Sequence, residues 1–167
     1  MPFDFRTLDL DLVRALPCYH QAHIPESYLD VMGHMNIQYY VALFNSAAVN
    51  LLISVGMTEA YIRTERNGAF ALQQHINYVA EVHAGETVAI HGRVLGRSPK
   101  RLHFILFMVN ETTQKLAATL ETLNAHADLD LRRTTPYPSP LAENLDALLT
   151  EHTALPWPAP LSGAMRP

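Results

Sequence analysis

Apolar and polar positions change their period along the chain, and the longest uncharged run predicts a helix. No Asp, Glu, Lys or Arg occurs over residues 31–58. Within that run the polar positions Ser46, Asn50 and Ser54 recur every four residues, as they do on one side of a helix. A helix over about residues 37–55 would carry one thin polar stripe and apolar surface elsewhere. We therefore expect a long and largely buried helix.

Much of the remaining chain alternates with a period of two and predicts strands. The predicted strands cover residues 19–27, 69–81, 87–95, 102–109 and 116–127. Short turns separate the last four, which favours an antiparallel meander. The combination predicts an α+β fold, with an antiparallel sheet of about five strands wrapped around one long central helix. Such a sheet leaves an edge open, so we expect a dimer that continues it.

The two ends of the chain differ in character from the middle. We predict a lead-in over residues 1–18, a main domain over 19–135 and a Pro-rich extension over 136–167, with a short surface helix at 141–152. The tail around Trp157 is expected to be poorly ordered or laid along a partner. A charged helix over 57–67 is expected to be capped by Thr58 and closed by Gly68.

Composition excludes several classes of function. The net charge is −4, without a basic block, which argues against nucleic acid as a partner. A single cysteine, Cys18, excludes an internal disulfide framework and a Cys-based metal cluster. No His or carboxylate cluster has helical ligand spacing, so no metal is expected. Since neither a signal peptide nor an uninterrupted membrane span is apparent, we expect a cytoplasmic protein that does not enter a membrane.

The candidate chemistry lies immediately before the long helix. Asp30 precedes a tight turn at Gly33, with His34 and Asn36 alongside. Free N–H groups and a positive helix end beside a carboxylate suit attack on a polarised carbonyl and stabilisation of its oxyanion. An Asp or Asn at such a place is also a common helix cap, and both interpretations stay open.

These residues carry a family resemblance. The pattern is Asp30-x-x-Gly33-His34-Met35-Asn36-x-x-Tyr39, and it resembles the hotdog-fold acyl-CoA thioesterases of the 4-hydroxybenzoyl-CoA thioesterase type. Segments 74–78, 100–104 and 123–128, followed by two arginines, look like the betainyl-CoA thioesterase branch. The resemblance implies hydrolysis of an acyl-CoA to free acid and CoA. It also implies a homodimer or dimer of dimers with sites across a subunit boundary, and no cofactor beyond the substrate's own CoA.

Roles follow for individual residues. Asp30 would act as base towards a water or as nucleophile, and the backbone N–H groups of Gly33 and His34 would form the oxyanion site. His34 and Asn36 are further catalytic candidates. The candidate acyl-binding residues are Tyr39, Gln73 and His75. The candidates for CoA phosphates are Lys100, Arg101, Arg132 and Arg133.

The second strand and the helix depart from related families, which often carry a Glu on one or the other. Here those places hold Gln73, Gln74, Asn45 and Ser46. Asp30 is therefore expected to be the only catalytic carboxylate. Two alternatives stay open, a non-catalytic acyl-CoA binding module and a hotdog hydratase or dehydratase. The Asp–Gly–Asn turn argues against the first, and no suitable His arrangement supports the second.

Overall fold

The computed structural model describes residues 5–167 and shows a mixed α and β chain. Its helices are α1 (Leu10–Arg14), α2 (Ile37–Ser54), α3 (Glu59–Glu65) and α4 (Ser139–Thr153). Its strands are β1 (Cys18–His23), β2 (Asn67–Tyr78), β3 (Thr87–Arg97), β4 (Arg101–Asn110), β5 (Lys115–Asp128) and β6 (Arg133–Thr134). The helices and strands confirm the α+β prediction. The first four residues of the predicted lead-in lie outside the described part.

The strand order corrects the predicted meander. The sheet runs β1-β3-β4-β5-β2, with β6 paired to β5. Thus β3, β4 and β5 are neighbours as predicted, but β2 lies beside β5 at the opposite edge and β1 pairs antiparallel with β3. The turn before β3 explains this, because Ile24 N–H donates to Glu86 O at 2.9 Å and Gly85 N–H donates to Ile24 O at 2.8 Å. The chain beyond β1 therefore occupies the place next to β3.

Backbone packing divides the chain into two compact units. The first contains Ile76–Gly92 and Leu106–Leu120 together with the residues up to Asn50, and the second contains Leu51–His75, Arg93–Ile105 and Glu121–Pro167. Each unit has its own buried apolar residues: Val13, Ile24, Phe44 and Phe107 in the first, and Leu102, Phe104, Leu123 and Leu145 in the second. Each combines three stretches of chain, so the predicted boundaries 1–18, 19–135 and 136–167 stay a prediction.

Helix α2 has the predicted extent but is less buried than predicted. Phe44 and Ala47 are fully buried, whereas Ile37, Val41 and Val49 are 64%, 43% and 46% exposed. The spacing of apolar residues shows which side of the helix they share and not how deeply each is buried, which is why the pattern overstated the burial. By length and composition α2 is also long and apolar enough to cross a membrane, a test that core helices pass as well.

Helix α3 begins as predicted and ends differently. Thr58 Oγ1 accepts from Tyr61 N–H at 3.1 Å, which is the predicted cap. The helix closes at Arg66, whose φ of 54° is left-handed, and Gly68 already belongs to β2. Arg66 holds this conformation because its carbonyl accepts from Leu129 N–H at 2.8 Å and its side chain pairs with Asp130.

The C-terminal tail packs on its own unit, so the expectation of poor order or a partner was wrong. Trp157 is 8% exposed, and the Arg93 guanidinium lies 4.6 Å from the centroid of its ring. Arg93 Nη1 also donates to the Trp157 carbonyl at 2.8 Å. Further along, Ser162 N–H donates to the buried Glu121 carboxylate at 2.7 Å. These buried partners lie far away in sequence, so the Pro-rich composition gave no sign of them.

Candidate active site

The Asp30 segment forms a loop that is closed at both ends. Asp30 N–H donates to His34 O and Gly33 N–H donates to Asp30 O, both at 3.0 Å. Gly33 has a φ of 87°, in the left-handed region that suits glycine. Beyond the loop, Met35 N–H donates to Val82 O at 2.7 Å, which ties it to the segment that follows β2. The loop is therefore fixed by its own backbone and by one neighbouring segment.

The two oxygens of the Asp30 carboxylate have different surroundings. Oδ1 accepts from Met32 N–H at 2.8 Å, which fixes the side chain in an Asx-type turn. Oδ2 lies 3.6 Å from Nδ1 of His34. The side chains of Asp30 and His34 are 15% and 27% exposed, so both reach solvent. One oxygen thus holds the geometry, and the other can receive a proton from a water or attack a carbonyl carbon.

The two predicted oxyanion donors are not equivalent. Helix α2 begins at Ile37, so neither Gly33 nor His34 belongs to its first turn. The Gly33 N–H is engaged by the Asp30 carbonyl inside the loop, whereas the His34 N–H has no acceptor within residues 5–167. In this conformation the backbone N–H of His34 is the better placed donor.

Asn36 and Tyr39 make contacts that stabilise the start of α2. Asn36 Oδ1 accepts from Gln38 N–H at 3.1 Å, the bond of an N-cap side chain. The Tyr39 ring stacks on Tyr28 with centroids 3.8 Å apart, and its hydroxyl donates to Ser27 O at 3.2 Å. The structure therefore uses both side chains locally, and their catalytic or substrate-binding roles stay a prediction.

A cleft of about 270 Å³ opens beside the Asp30 carboxylate. Its lining residues are Asp30, Met32, His34, Met35, Ile37, Tyr40, Tyr78, Val79, Ala80 and Glu81. Asp30 is therefore not the only carboxylate here, because Glu81 lines the same cleft. Glu81 was missed altogether, and Tyr40 and Tyr78 were not assigned to the Asp30 cleft. No local pattern shows that the chain after β2 returns to the Asp30 loop, which is what brings them there.

Gln73 and His75 lie elsewhere on the surface of the single chain. Both belong to β2, the last strand of the sheet path, and both are exposed. Neither lines the Asp30 cleft. Their predicted contact with the acyl group stays a prediction.

The four basic candidates flank the end of β5. His126 N–H donates to Lys100 O at 2.9 Å. On β6, the backbone of Arg133 lies opposite that of Asp128 on β5. Arg132 and Arg133 line a hollow of about 460 Å³ together with Phe70 and Leu72 of β2. Lys100, Arg101, Arg132 and Arg133 are all exposed, and none forms a salt bridge inside the described range. Their charges are thus available to an anionic ligand.

Comparison with solved structures defines the class of fold. A Staphylococcus aureus protein solved in complex with CoA superposes with a TM-score of 0.81 at 20% identity, covering 90% of this chain and 96% of that one. Two dihydroxynaphthoyl-CoA thioesterases, from Synechocystis and from S. aureus, superpose with TM-scores of 0.68 and 0.73. The fold is the hotdog fold, as the resemblance implied.

Sequence comparison then gives the family. The chain belongs to the Thioesterase-like superfamily, whose family model matches residues 24–145. A Pseudomonas aeruginosa betainyl-CoA thioesterase is 28% identical over 87% of this chain and 91% of its own length. An Agrobacterium fabrum protein named L-carnitine dehydrogenase/betainyl-CoA thioesterase is 33% identical over 77% of this chain, which spans only 26% of that longer protein. Thioester hydrolysis, the predicted class of activity, is the activity for which these relatives are named.

Proposed function

We propose that this protein hydrolyses an acyl-CoA thioester to the free acid and CoA at the Asp30 cleft. The observation that carries the proposal is the Asp30 carboxylate, whose Oδ2 lies 3.6 Å from His34 Nδ1 beside a His34 backbone N–H that has no acceptor among residues 5–167. A carboxylate base and an oxyanion donor are what thioester hydrolysis requires. Membership of a thioesterase family supports the same chemistry.

Two routes fit this arrangement. In the first, Asp30 Oδ2 takes a proton from a water while the water oxygen attacks the thioester carbonyl carbon. The resulting oxyanion accepts from the His34 N–H, and its collapse breaks the C–S bond and releases the CoA thiolate. In the second, Oδ2 itself attacks the carbonyl and expels the thiolate, and water then hydrolyses the mixed anhydride. Both routes use the same atoms.

The size of the cleft favours a small acyl group. At about 270 Å³ it lies near the lower end of small-molecule sites, which span roughly 300–1,000 Å³. Betainyl-CoA is the first candidate because three relatives carry that name. The CoA phosphates would be bound by the unpaired basic residues around β5, since guanidinium groups pair well with phosphate oxygens.

A homodimer is part of the proposal. Strand β2 ends the sheet path, and its Phe70 and Leu72 are 65% and 40% exposed. A second copy pairing along β2 would cover these side chains and the exposed apolar stripe of α2. It would also bring Gln73 and His75 of one protomer towards the cleft of its partner. Two such dimers can associate into a tetramer. A cytoplasmic location is also part of the proposal, because it would give the site access to acyl-CoA.

The test is release of free thiol from a panel of short, aromatic, long-chain and betainyl CoA thioesters. Wild type is compared with Asp30→Asn, and CoA binding is measured for both by calorimetry. Hydrolysis that fails in the variant while CoA still binds supports the proposal. Absence of turnover on every thioester with intact CoA binding would leave a binding module instead. Turnover that is unaffected in Asp30→Asn would mean that another residue is the catalytic carboxylate.

A further inference from the structure

One end of the Asp30 cleft combines two aromatic rings with a carboxylate. The rings of Tyr40 and Tyr78 meet edge to face, with centroids 5.2 Å apart and planes at 88°. Glu81 lines the same cleft three residues beyond Tyr78. Tyr40 is 5% exposed and Tyr78 is 50% exposed, so one ring is fixed in the fold and the other is open to a ligand.

The charges that line the cleft have one sign. Asp30 and Glu81 are its carboxylates, and neither Lys nor Arg occurs among its lining residues. The Glu81 side chain is 67% exposed, and His83 Nε2 lies 3.7 Å from its Oε2. The thioester carbon must sit at Asp30, so Glu81 is left for another part of the substrate.

The negative charge of Glu81 acts electrostatically on Tyr40. Burial is the main reason that the pKa of Tyr40 is raised to about 12; a backbone hydrogen bond at Val82 opposes the rise, and the nearby Tyr78, Glu81 and Glu86 add to it. The phenol is neutral at physiological pH, as that of an ordinary tyrosine is. Its hydroxyl faces the Ala80 carbonyl at 3.5 Å rather than the open cleft.

We propose that Tyr40, Tyr78 and Glu81 bind the cationic head of an acyl group that carries a quaternary ammonium. Aromatic faces attract quaternary ammonium groups, and a carboxylate adds direct charge complementarity. A neutral acyl group of the same size would gain no charge interaction with Glu81. The inference rests on the proposed thioesterase function and assigns its acyl specificity to these three side chains.

The experiment compares two thioesters of nearly identical shape. One is trimethylammonioacetyl-CoA, and the other is 3,3-dimethylbutanoyl-CoA, in which carbon replaces the charged nitrogen. We measure the ratio of kcat/KM for the cationic over the neutral substrate in wild type and in variants. We also measure the ratio of the two affinities by calorimetry in Asp30→Asn, where neither substrate is consumed.

Wild type should prefer the cationic thioester by about tenfold, within the range of a desolvated cation–π contact. Glu81→Gln and Tyr78→Leu should each lower that ratio by about three- to tenfold. Tyr78→Phe should retain it, because only the ring is needed. Glu143→Gln is the matched control, since it removes the same charge from an exposed position on α4 outside the cleft.

Failure of this assignment can be distinguished from failure of the proposed function. A wild-type ratio of one, or a ratio that neither Glu81→Gln nor Tyr78→Leu lowers, overturns the assignment of the three residues and leaves the thioesterase intact. If wild type hydrolyses neither of these two thioesters nor any other in the panel, the proposed function fails, and the affinity ratio in Asp30→Asn still decides whether Tyr40, Tyr78 and Glu81 select a cation. Circular dichroism confirms that each variant is folded, and the surface position of Tyr78 makes its two substitutions the safer pair.

Discussion

Asp30 Oδ2 and His34 Nδ1 face each other at 3.6 Å across a loop that hydrogen bonds close at both ends. The two residues are four apart in sequence, as in a helical pair, yet neither is in a helix. Their orientation is set by the Asp30–Met32 turn and by the left-handed Gly33. The pair is therefore positioned before any substrate arrives, which lowers the cost of reaching a reactive geometry.

Substitutions at Asp30 and His34 should distinguish the catalytic role of the carboxylate from that of the imidazole ring. Asp30→Asn should lower kcat by about 10²- to 10⁴-fold, the usual contribution of a general base. His34→Ala keeps the backbone N–H and should lower kcat by a smaller factor. Stopped-flow thiol release on the preferred thioester measures both. A larger loss in His34→Ala than in Asp30→Asn would show that the imidazole, not the carboxylate, is the base.

Asn36 offers a test of capping against catalysis. Asn36→Asp keeps an oxygen that can accept from Gln38 N–H, so stability and turnover should both be retained. Asn36→Ala removes the cap and should lower the free energy of unfolding by about 1 kcal/mol. Urea unfolding and thiol release are measured on both variants. If Asn36→Asp is stable but inactive, the side-chain NH₂ is needed by the substrate and capping is not the whole role.

Short sequence patterns were sufficient to predict the helices and strands and the turn that contains Asp30. Thr58 was identified as a cap because its partner Tyr61 is three residues away. The extent of α2 followed from the spacing of polar residues, and Gly33 was expected in a tight turn that only a few residues define. The predictions held wherever the deciding contacts lie close together in sequence.

Contacts between residues far apart in the sequence could not be predicted from it. Nothing near Glu81 shows that Val82 O accepts from Met35 N–H, the bond that ties its segment to the Asp30 loop. The position of β2 likewise depends on which strand pairs with β3, and alternation alone does not decide this. The exposed face of α2 could not be told from a core face, since hydrophobicity does not show what will cover it.

Stability should depend on pH through a buried histidine. His152 Nδ1 accepts from Val94 N–H at 2.8 Å. Burial lowers the pKa of His152, and the charge of Arg93 lowers it further, although Glu151 opposes this. The unfolded chain then binds the proton at a higher pH than the folded one. The free energy of unfolding should be constant above pH ~6.5 and fall below it, by at most about 1.4 kcal/mol per pH unit for each such group.

Urea titrations between pH 5.5 and 8 measure this slope. His126, whose pKa burial also lowers, adds to it in the same direction. His152→Gln should therefore reduce the slope without abolishing it. The matched control is His23→Gln, which makes the same substitution at an exposed position. Stability that rises as the pH falls from 7 to 6 would contradict the neutral state assigned to His152.

The tail should contribute to stability through Trp157. Trp157→Ala removes a buried ring and uncovers the guanidinium of Arg93, so it should lower the free energy of unfolding by about 3 kcal/mol. Trp157→Phe retains a ring and should cost less. Leu161→Ala, at a position 45% exposed in the same tail, should change stability by less than about 0.5 kcal/mol. Equal, small effects of Trp157→Ala and Leu161→Ala would show that the tail does not stabilise the fold.

The exposed stripe of α2 should decide the oligomeric state. Val41 is 43% exposed in the single chain, and the proposed dimer would bury it. Val41→Glu should place an unpaired charge in that interface and convert a dimer to a monomer, because burying such a charge is strongly unfavourable. Light scattering after gel filtration gives the mass of each species. Leu161→Glu is the control, since it adds the same charge to the exposed tail and should leave the dimer intact. A wild-type monomer would remove the second subunit from the site and with it any role for Gln73 and His75. A dimer that survives Val41→Glu would place the interface elsewhere than on this face of α2.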